Sequence, residues 1–572
     1  MTLLKECAVK DNIKEIKYHK KRILDDKSVK RVLLFSAPTF DFDSFDIDAQ
    51  RKAGAMIYHP IGLPMLAAVI REDSPNIEMK ICDAEYETVK IMFETNQKED
   101  VLKKLVEKVL TDFKPDLVGI SVVFSPGIKA GFEIASMTRA FDSNIIISFG
   151  GVHCTFDYEN ILKEDFADVV FLYESEITFS GYIKYLNGME KVESIRGIVF
   201  LNEKEEIVKI PYESPPDFDA LPIPAWDLLD TTNYYKVSGL SGVKNIGVLT
   251  PKPKGIINTV RGCVARCTFC SVRNFNGFGV RMREPEDVLN EIDILYNDYG
   301  IRYLEVVDDD FSFDHDRSVA ICKGLIERNY DLLWSLDNGI RLLTITEELA
   351  ESLVGAGCRQ ISVGVESGNA EIMHRIKKPL TIPGLFKKME MMKQFPEIYV
   401  KGNFIVGFPF ENYDQLQDTF RIATEVDFDW RIFSTYSPLV GTEALNYFDD
   451  ETKAEIDYSE NSFGSCETIP DGFSSEDEFR DKVYLENLRI NFLENPNYKG
   501  KNLQRALNDF TRIVRDNDAD HALALYCIHN IYKSLGETNK HAKYLNQFNE
   551  VINNSAQWRV YCDQLNVPIS IA

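Results

Sequence analysis

The chain has 572 residues, 44% of them hydrophobic and 27% charged, and a formal net charge of -25 at pH 7. This length exceeds the roughly 250–300 residues at which single cores stop growing, so we expect several domains. So negative a chain repels a polyphosphate backbone, which disfavours nucleic acid as a partner. Eleven cysteines are too sparse for a disulfide framework, and neither an apolar leader nor an apolar run of about 18 residues occurs. We therefore expect a cytoplasmic protein, without a membrane span, whose thiols are available as ligands.

The first part of the chain, from Arg31 to about Gly188, alternates short β-rich apolar runs with amphipathic stretches. This alternation predicts a parallel, doubly wound sheet of the flavodoxin-like or Rossmann-like kind. Ligands of such sheets lie outside the carboxyl ends of the strands. The residues expected there are Ser36, Asp83, Ser121, Gly150 and Glu174. From about Ser194 to Lys252 the sequence is Pro-rich, acidic and irregular, which we interpret as a linker.

A second alternating series begins at Gly255 and predicts six strands separated by helices. Such a series indicates an incomplete parallel barrel, whose chemistry sits on the loops after the strands. After about Leu445 the apolar spacing becomes helical and resembles one or two tetratricopeptide-like helix pairs. The predicted divisions are an N-terminal extension (1–28), a doubly wound domain (29–190), a linker (191–248), a partial barrel (249–445) and an all-helical C-terminal domain (446–572).

Three cysteines, Cys263, Cys267 and Cys270, lie within eight residues directly after a predicted strand. Thiolates this close can converge on one small inorganic centre, and soft sulfur ligands select iron–sulfur clusters or zinc. Zinc would need a fourth ligand nearby, and the next cysteine, Cys322, lies in a predicted helix. An iron–sulfur cluster with one open iron is therefore favoured, while three neighbouring core cysteines remain the alternative.

The CxxxCxxC spacing, with an aromatic residue before the last cysteine, resembles the signature of radical S-adenosylmethionine (SAM) enzymes. The resemblance extends over roughly Arg31 to Leu445. Over this range the chain is similar to members of the family that carry a cobalamin-binding domain, class B methyltransferases among them. Its further motifs are Arg281-Met-Arg283-Glu-Pro, Asp308-Asp-Asp-Phe311, Asn338-Gly-Ile-Arg341, Gly364-Val-Glu366-Ser-Gly368, Gly407-Phe-Pro409 and Pro438-Leu-Val-Gly441-Thr442.

The resemblance implies that the three cysteines hold a [4Fe–4S] cluster whose open iron chelates SAM, and that SAM cleavage gives a 5′-deoxyadenosyl radical. A radical this reactive requires a site that excludes water and holds the substrate close. The residues that the resemblance places at SAM are Phe269, Asp308, Asn338, Arg341, Gly364, Glu366 and Ser367. Asp310 is expected either at this site or as a cap of the following helix. Near the last strand, Tyr436 is a candidate substrate contact.

Two loops of the first domain resemble the loops that cradle cobalamin in this family. The residues implied in that role are Ser121, Gly150, Gly151, Val152, His153, Glu174 and Glu176. The DxHxxG motif is absent, so cobalamin would bind without a histidine ligand of that kind. The second loop commonly reads GEGE, and here Tyr173 and Ser175 replace both glycines, which narrows the space for a ligand.

The leading functional hypothesis is a cobalamin-dependent radical SAM methyltransferase acting on an unactivated carbon. The same architecture catalysing cyclisation, rearrangement or oxidation of a pigment or natural product, with cobalamin as redox partner or absent, is the close alternative. A non-enzymatic cobalamin and iron–sulfur sensor is the third. The expected partners are a small-molecule or peptide substrate and an external electron donor of the flavodoxin or ferredoxin type. The C-terminal helices are predicted either to cover the barrel or to contact a protein, and an oxygen-sensitive cluster implies anaerobic handling.

Overall fold

The computed structural model describes residues 15–16, 28–55, 57, 59–164, 166–238, 253–338, 340–460 and 468–569. Most of the predicted N-terminal extension and the end of the predicted linker therefore lie outside the described residues. Within them, the chain builds two large sheets, a small two-stranded ribbon and a C-terminal group of helices.

The first sheet has seven strands in the order β2-β1-β3-β4-β5-β6-β7. Its strands are β1 (Arg31–Ser36), β2 (Glu78–Asp83), β3 (Leu117–Ser121), β4 (Ile146–Gly150), β5 (Val169–Phe171), β6 (Ile198–Leu201) and β7 (Ile207–Ile210). Its helices are α1 (Ile47–Ala53), α2 (Gly62–Asp73), α3 (Ala84–Thr95), α4 (Val101–Phe113), α5 (Ile128–Phe141), α6 (Val152–Phe156), α7 (Tyr158–Lys163) and α8 (Glu176–Leu186).

Strands β1 to β5 are parallel and covered by helices on both faces. In β1, Leu33 and Phe35 enter one apolar core, whereas Val32 and Leu34 enter the core on the opposite face. Burial on both faces accounts for the continuous apolar runs that predicted a doubly wound sheet. That fold class is confirmed.

The predicted linker contains more structure than its composition indicates. Strands β6 and β7 form an antiparallel hairpin that extends the sheet beyond β5. No helix separates these two short strands, so they do not follow the strand–helix alternation that predicted the rest of the sheet. The irregular segment begins only after Ile210, and it includes a short helix, α9 (Tyr234–Ser238).

The second large sheet has six parallel strands in the order β15-β14-β13-β12-β11-β8. In the described part of the chain its edge strands do not pair, so the sheet is the partial barrel that was predicted. The strands are β8 (Lys254–Ile257), β11 (Tyr303–Val306), β12 (Leu333–Leu336), β13 (Cys358–Glu366), β14 (Tyr399–Val406) and β15 (Trp430–Thr435), with β9 (Val260–Arg261) and β10 (Arg281–Met282) forming the separate ribbon. The helices are α10 (Val272–Asn276), α11 (Pro285–Asn297), α12 (His315–Arg328), α13 (Glu347–Gly355), α14 (Ala370–Arg375), α15 (Ile382–Met392) and α16 (Tyr413–Glu425).

After β15 the described residues form helices joined by turns and loops, with no further strand. The helices are α17 (Asp450–Glu455), α18 (Glu476–Leu488), α19 (Leu503–Arg512), α20 (Ala522–Ser534), α21 (Thr538–Asn554) and α22 (Ala556–Gln564). The apolar faces of α19 to α22 share a core with Tyr399 and Trp430 on the last two barrel strands. The group thus covers the flank of the barrel, which is one of the two predicted roles. Among the described helices, none has the length and apolarity needed to cross a bilayer.

Candidate functional site

The cysteine loop begins at a turn that two acidic residues, the buried Asp308 and the half-buried Asp309, hold in place. After β11, the Asp308 carboxylate accepts hydrogen bonds from the Thr259 N–H at 2.5 Å and the Val260 N–H at 2.9 Å. Asp309 accepts one from the Gly262 N–H at 2.7 Å. Gly262 has a φ of +91°, and a Cβ there would lie 2.4 Å from the Gly279 carbonyl oxygen, so a larger residue does not fit.

The three predicted ligand thiols are free and half-buried on this loop. Burial raises the pKa of all three, that of Cys267 to about 11 and that of Cys270 to about 12. Repulsion from Cys263 raises the pKa of Cys267 further, and repulsion from both Cys263 and Cys267 raises that of Cys270. Among the described residues, however, no three His, Cys, Asp or Glu side chains stand close enough to hold a metal ion. The three cysteines are neighbours on the loop, and the thiols of Cys263 and Cys267 lie close enough to act electrostatically on Cys270.

Two ion pairs flank the cysteine loop at the mouth of the barrel. Arg341 pairs with the buried Asp310 at 2.5 Å, and both act electrostatically on Cys263. Lys378 pairs with Glu366 at 2.8 Å and acts on Cys267 and Cys270. The sequence predictions for Arg341 and Glu366 thus fall beside the cysteines, and Asp310 belongs to the site.

Other residues predicted at SAM have further roles in the structure. Asp308 is turned towards the start of the loop, where hydrogen bonds occupy its carboxylate. Asn338 is exposed and donates to the Val307 and Asp308 carbonyls. Ser367 is buried against Thr419, with 3.2 Å between the two hydroxyl oxygens.

Gly364 permits the close approach of the second ion pair. A Cβ at this position would lie 2.4 Å from the Glu366 carboxylate and 2.9 Å from the Lys378 ammonium. Beyond the cysteines, Phe269 packs on Phe408, which in turn contacts Tyr436 at 5.1 Å between ring centroids. Phe269, predicted at SAM, and Tyr436, the predicted substrate contact, therefore belong to one aromatic cluster.

A cavity of about 370 Å³ lies between the carboxyl end of the first sheet and the cysteine loop. Its floor is apolar and includes Leu34, Phe171 and Phe179. Six residues predicted at cobalamin line it, namely Ser121, Gly150, Gly151, Val152, Glu174 and Glu176. The opposite wall comes from Ser271 to Asn276, directly after Cys270. The cavity thus extends from the predicted cobalamin loops to the segment that follows the cysteine loop.

His153 is the exception among the predicted cobalamin contacts. It is buried outside the cavity lining, with Nδ1 3.0 Å from the Ser125 hydroxyl and Nε2 3.3 Å from the Asp157 carboxylate. Helix α6 begins beside Gly151, and this turns the imidazole away from the cavity and into the fold.

Tyr173, at the first replaced glycine of the second loop, adopts a φ of +58°. This is a left-handed conformation that favours glycine and is strained for a tyrosine. Its N–H donates to Thr155 at 2.8 Å, and its half-buried ring lines the cavity beside Tyr212 and Phe275. The ring narrows the space, as the sequence predicts, and the cavity persists.

Sequence reasoning missed Lys378 and Asp309 as members of the site. Lys378 lies twelve residues after its partner Glu366, beyond helix α14, in a segment without a recognisable motif. Asp309 lies in the acidic run Asp308–Asp310 that follows β11, and its place just after the end of that strand was a usable signal.

Two family models match the chain: the Radical SAM superfamily over residues 257–423 and the B12 binding domain over residues 53–183. The first match contains the three cysteines, and the second contains the loops that line the cavity. The two matches therefore cover the two halves that the cavity joins.

The chain is 29% identical to an uncharacterised methyltransferase of Pyrococcus horikoshii, over 68% of this chain and 78% of the relative. It is 27% identical to cytidylyl-2-hydroxyethylphosphonate methyltransferase of Streptomyces wedmorensis, over 68% and 77%. It is also 24% identical to anaerobic magnesium-protoporphyrin IX monomethyl ester cyclase of Rubrivivax gelatinosus, over 70% of each chain.

Among solved structures, the cobalamin-dependent S-adenosylmethionine radical enzyme OxsB, with aqua-cobalamin and S-adenosylmethionine bound, matches with a TM-score of 0.61 at 16% identity. The match covers 95% of this chain and 82% of that chain. At this identity the likeness shows a shared fold.

Proposed function

Because this chain belongs to the radical SAM enzymes that carry a B12-binding domain, we propose that it methylates an unactivated carbon of its substrate. The cofactors are a [4Fe–4S] cluster, SAM and cobalamin. When bound, they supply the electron that cleaves SAM and the methyl group that the substrate receives. The protein's part is to bind and orient these groups and to exclude water.

The observation that carries the proposal is the shared cavity. Its walls come from the loops of the B12-binding domain and from the segment that follows Cys270. A ligand in this cavity would therefore lie against the cysteine loop, and a substrate carbon could be within reach of both cofactors. Such proximity is what a reaction between two bound groups requires.

Cys263, Cys267 and Cys270 would hold the cluster, since three thiolates are a fitting donor set for iron with one position left open. Iron binds the thiolate form, so cluster assembly would release the protons that burial now holds on these thiols. Glu366 and Arg341 would orient the amino and carboxylate groups of SAM, each exchanging its present ion-pair partner for the ligand.

For cobalamin, the chain offers a cradle of small residues above an apolar floor. A Cβ on Gly150 would meet its nearest neighbour only at 3.8 Å, whereas one on Gly151 would lie 2.5 Å from the Val122 carbonyl oxygen. The backbone can thus approach a large flat ligand closely. We assign Ser121, Glu174 and Glu176 to its polar rim and Val152 to its apolar lining, and leave His153 out of the contact set.

The second candidate function is radical cyclisation or oxidation on the same architecture. The cyclase relative, matched over 70% of each chain, supports it. Methyl transfer is favoured because the relatives of higher identity carry methyltransferase names. For either reaction we propose a small-molecule or peptide substrate and an external electron donor.

Anaerobic reconstitution with iron, sulfide and hydroxocobalamin tests the cofactor assignment. We expect about four irons and about one cobalt per wild-type chain. Cys267→Ala should lose the iron and retain the cobalt, whereas the control Cys562→Ala, which alters a buried thiol of the C-terminal helices, should retain both. A wild-type chain that binds iron but no cobalt would refute the methyltransferase.

Product analysis separates the two candidate functions. The loaded protein, incubated with SAM and a low-potential reductant, should release 5′-deoxyadenosine and also S-adenosylhomocysteine, which marks methyl donation from SAM. A cyclase would release 5′-deoxyadenosine without S-adenosylhomocysteine. Release of neither product would leave a binding protein and contradict both enzymatic proposals.

A further inference from the structure

The ribbon that leads into the cysteine loop places two arginines opposite each other. Strands β9 and β10 are antiparallel, and Arg261 pairs directly with Arg281. Like charges at facing positions destabilise a strand pair. These side chains are only 13% and 21% exposed, so water screens their repulsion poorly. The ribbon therefore depends on a counter-charge from elsewhere in the chain.

That counter-charge comes from the B12-binding domain. Glu174 accepts hydrogen bonds from Arg261 at 2.7 Å and from Arg281 at 2.9 Å through one carboxylate oxygen, and its other oxygen contacts Arg281 again. Glu176 accepts a further bond from Arg261 at 2.7 Å. Glu174 is only 4% exposed, and loss of one partner from such a buried group is strongly destabilising.

These four residues, Glu174, Glu176, Arg261 and Arg281, form what we call the carboxylate clamp. It joins segments 87 residues apart in the chain, and Arg261 lies two residues before Cys263. Its outer end is also fixed, because the Arg261 guanidinium lies 4.3 Å above the Phe218 ring. The position of the cysteine loop thus depends on the loop after β5.

The clamp is at the same time a wall of the cavity, which Glu174, Glu176 and Arg261 all line. The second carboxylate oxygen of Glu176 is buried and has no hydrogen-bond partner among the described residues. A buried acceptor without a donor is costly, and a ligand in the cavity that supplies a donor would remove this cost. Occupation of the cavity would therefore stabilise the clamp.

We propose that Glu174 is a positioning residue through which cobalamin binding and cluster binding strengthen each other. The inference rests on the proposed function, since it requires both cofactors. Coupling between two sites is reciprocal, so the factor by which the cluster tightens cobalamin binding equals the factor by which cobalamin tightens cluster binding. If the clamp had only a structural role, its loss would lower the stability of the protein, and the cluster would not change the affinity for cobalamin.

The test measures the affinity of the full chain for hydroxocobalamin by its visible spectrum, with the cluster loaded and after removal of iron with a chelator. We expect the wild-type chain with the cluster to bind hydroxocobalamin at least about five-fold more tightly than the same chain without it. In Glu174→Gln the ratio of these two affinities should fall to about one. The control Asp168→Asn should keep the wild-type ratio, because Asp168 pairs with Arg139 at the opposite end of the strands, away from the cavity.

If Glu174→Gln does not fold, a measurement on the wild-type protein tests the same inference. Hydrogen–deuterium exchange of residues 260–263 and 281–283 in iron-free protein should slow when hydroxocobalamin is added. Equal cobalamin affinity with and without the cluster, or unchanged exchange in the ribbon, would overturn this inference and leave the proposed function intact. A wild-type chain that binds no cobalamin would overturn both.

Discussion

Substitution of Tyr173 tests the strain in the second cobalamin loop. At a φ of +58°, a residue with a Cβ is disfavoured by about 1–2 kcal/mol. Tyr173→Ala removes the ring and keeps the Cβ, whereas Tyr173→Gly removes both. Loss of a half-buried ring, about 100 Å² of apolar area, costs both variants roughly 2.5 kcal/mol.

The difference in stability between the two variants isolates the effect of the backbone conformation at position 173. Glycine relieves the backbone strain of about 1–2 kcal/mol. It also gives the unfolded chain more conformational entropy than alanine does, which lowers the stability by about 0.4–1 kcal/mol. We therefore expect Tyr173→Gly to be about 0.5–1 kcal/mol more stable than Tyr173→Ala. Urea unfolding of the cofactor-free chain at equal slope gives this difference from the midpoints.

The control is Tyr212, whose ring centroid lies 4.9 Å from that of Tyr173 and whose φ is not positive. There the order should invert, with the alanine variant about 0.4–1 kcal/mol more stable than the glycine variant. An alanine variant at position 173 as stable as the glycine variant, or more so, would refute the argument from strain.

Three further predictions concern acidic residues. Asp308→Asn should weaken the turn before the cysteine loop, costing about 1–3 kcal/mol of stability and lowering the iron bound per chain, measured by thermal unfolding and metal analysis. Glu366→Gln breaks the ion pair with Lys378 and should weaken SAM binding about ten-fold, roughly 1.4 kcal/mol, measured by equilibrium dialysis. Burial raises the pKa of Glu411 from 4.5 to about 7, so the folded state favours the protonated acid. Stability should therefore fall as pH rises through that window, by up to about 1.4 kcal/mol per pH unit, and Glu411→Gln should remove this fall in pH-dependent unfolding.

Each of these has a contrary outcome. Full iron content in Asp308→Asn would mean that the turn does not position the thiols. SAM binding equally weak in Glu366→Gln and in Glu371→Gln, a change on the exposed start of α14, would deny Glu366 a specific role. A pH profile of stability unchanged by Glu411→Gln would assign the dependence to other buried acids, among them Glu85, whose pKa burial also raises to about 7.

Local patterns predicted the two large sheets because strand and helix periodicities are read over a few residues. The strands β1 to β5 and the barrel strands alternate with helices along the chain, whereas β6 and β7 form a hairpin with no helix between them and do not follow that alternation. The CxxxCxxC spacing likewise indicated a ligand loop, because loop geometry depends mainly on neighbours in the chain. Of the six cavity-lining residues predicted at cobalamin, Ser121, Gly150 and Glu174 were indicated by their places at strand ends, and the family resemblance implied Gly151, Val152 and Glu176.

The sequence by itself determined the two sheet classes, the cysteine loop and the strand ends that line the cavity. Tertiary structure alone decided which way His153 turns, that Asp308 supports the loop, that Lys378 meets Glu366, and that Glu174 lies between two arginines. The physical reason is the distance along the chain over which each interaction acts. Periodicity and spacing act within one element, whereas the partner of a buried charge is chosen by packing between segments as much as 107 residues apart, as Glu174 and Arg281 are.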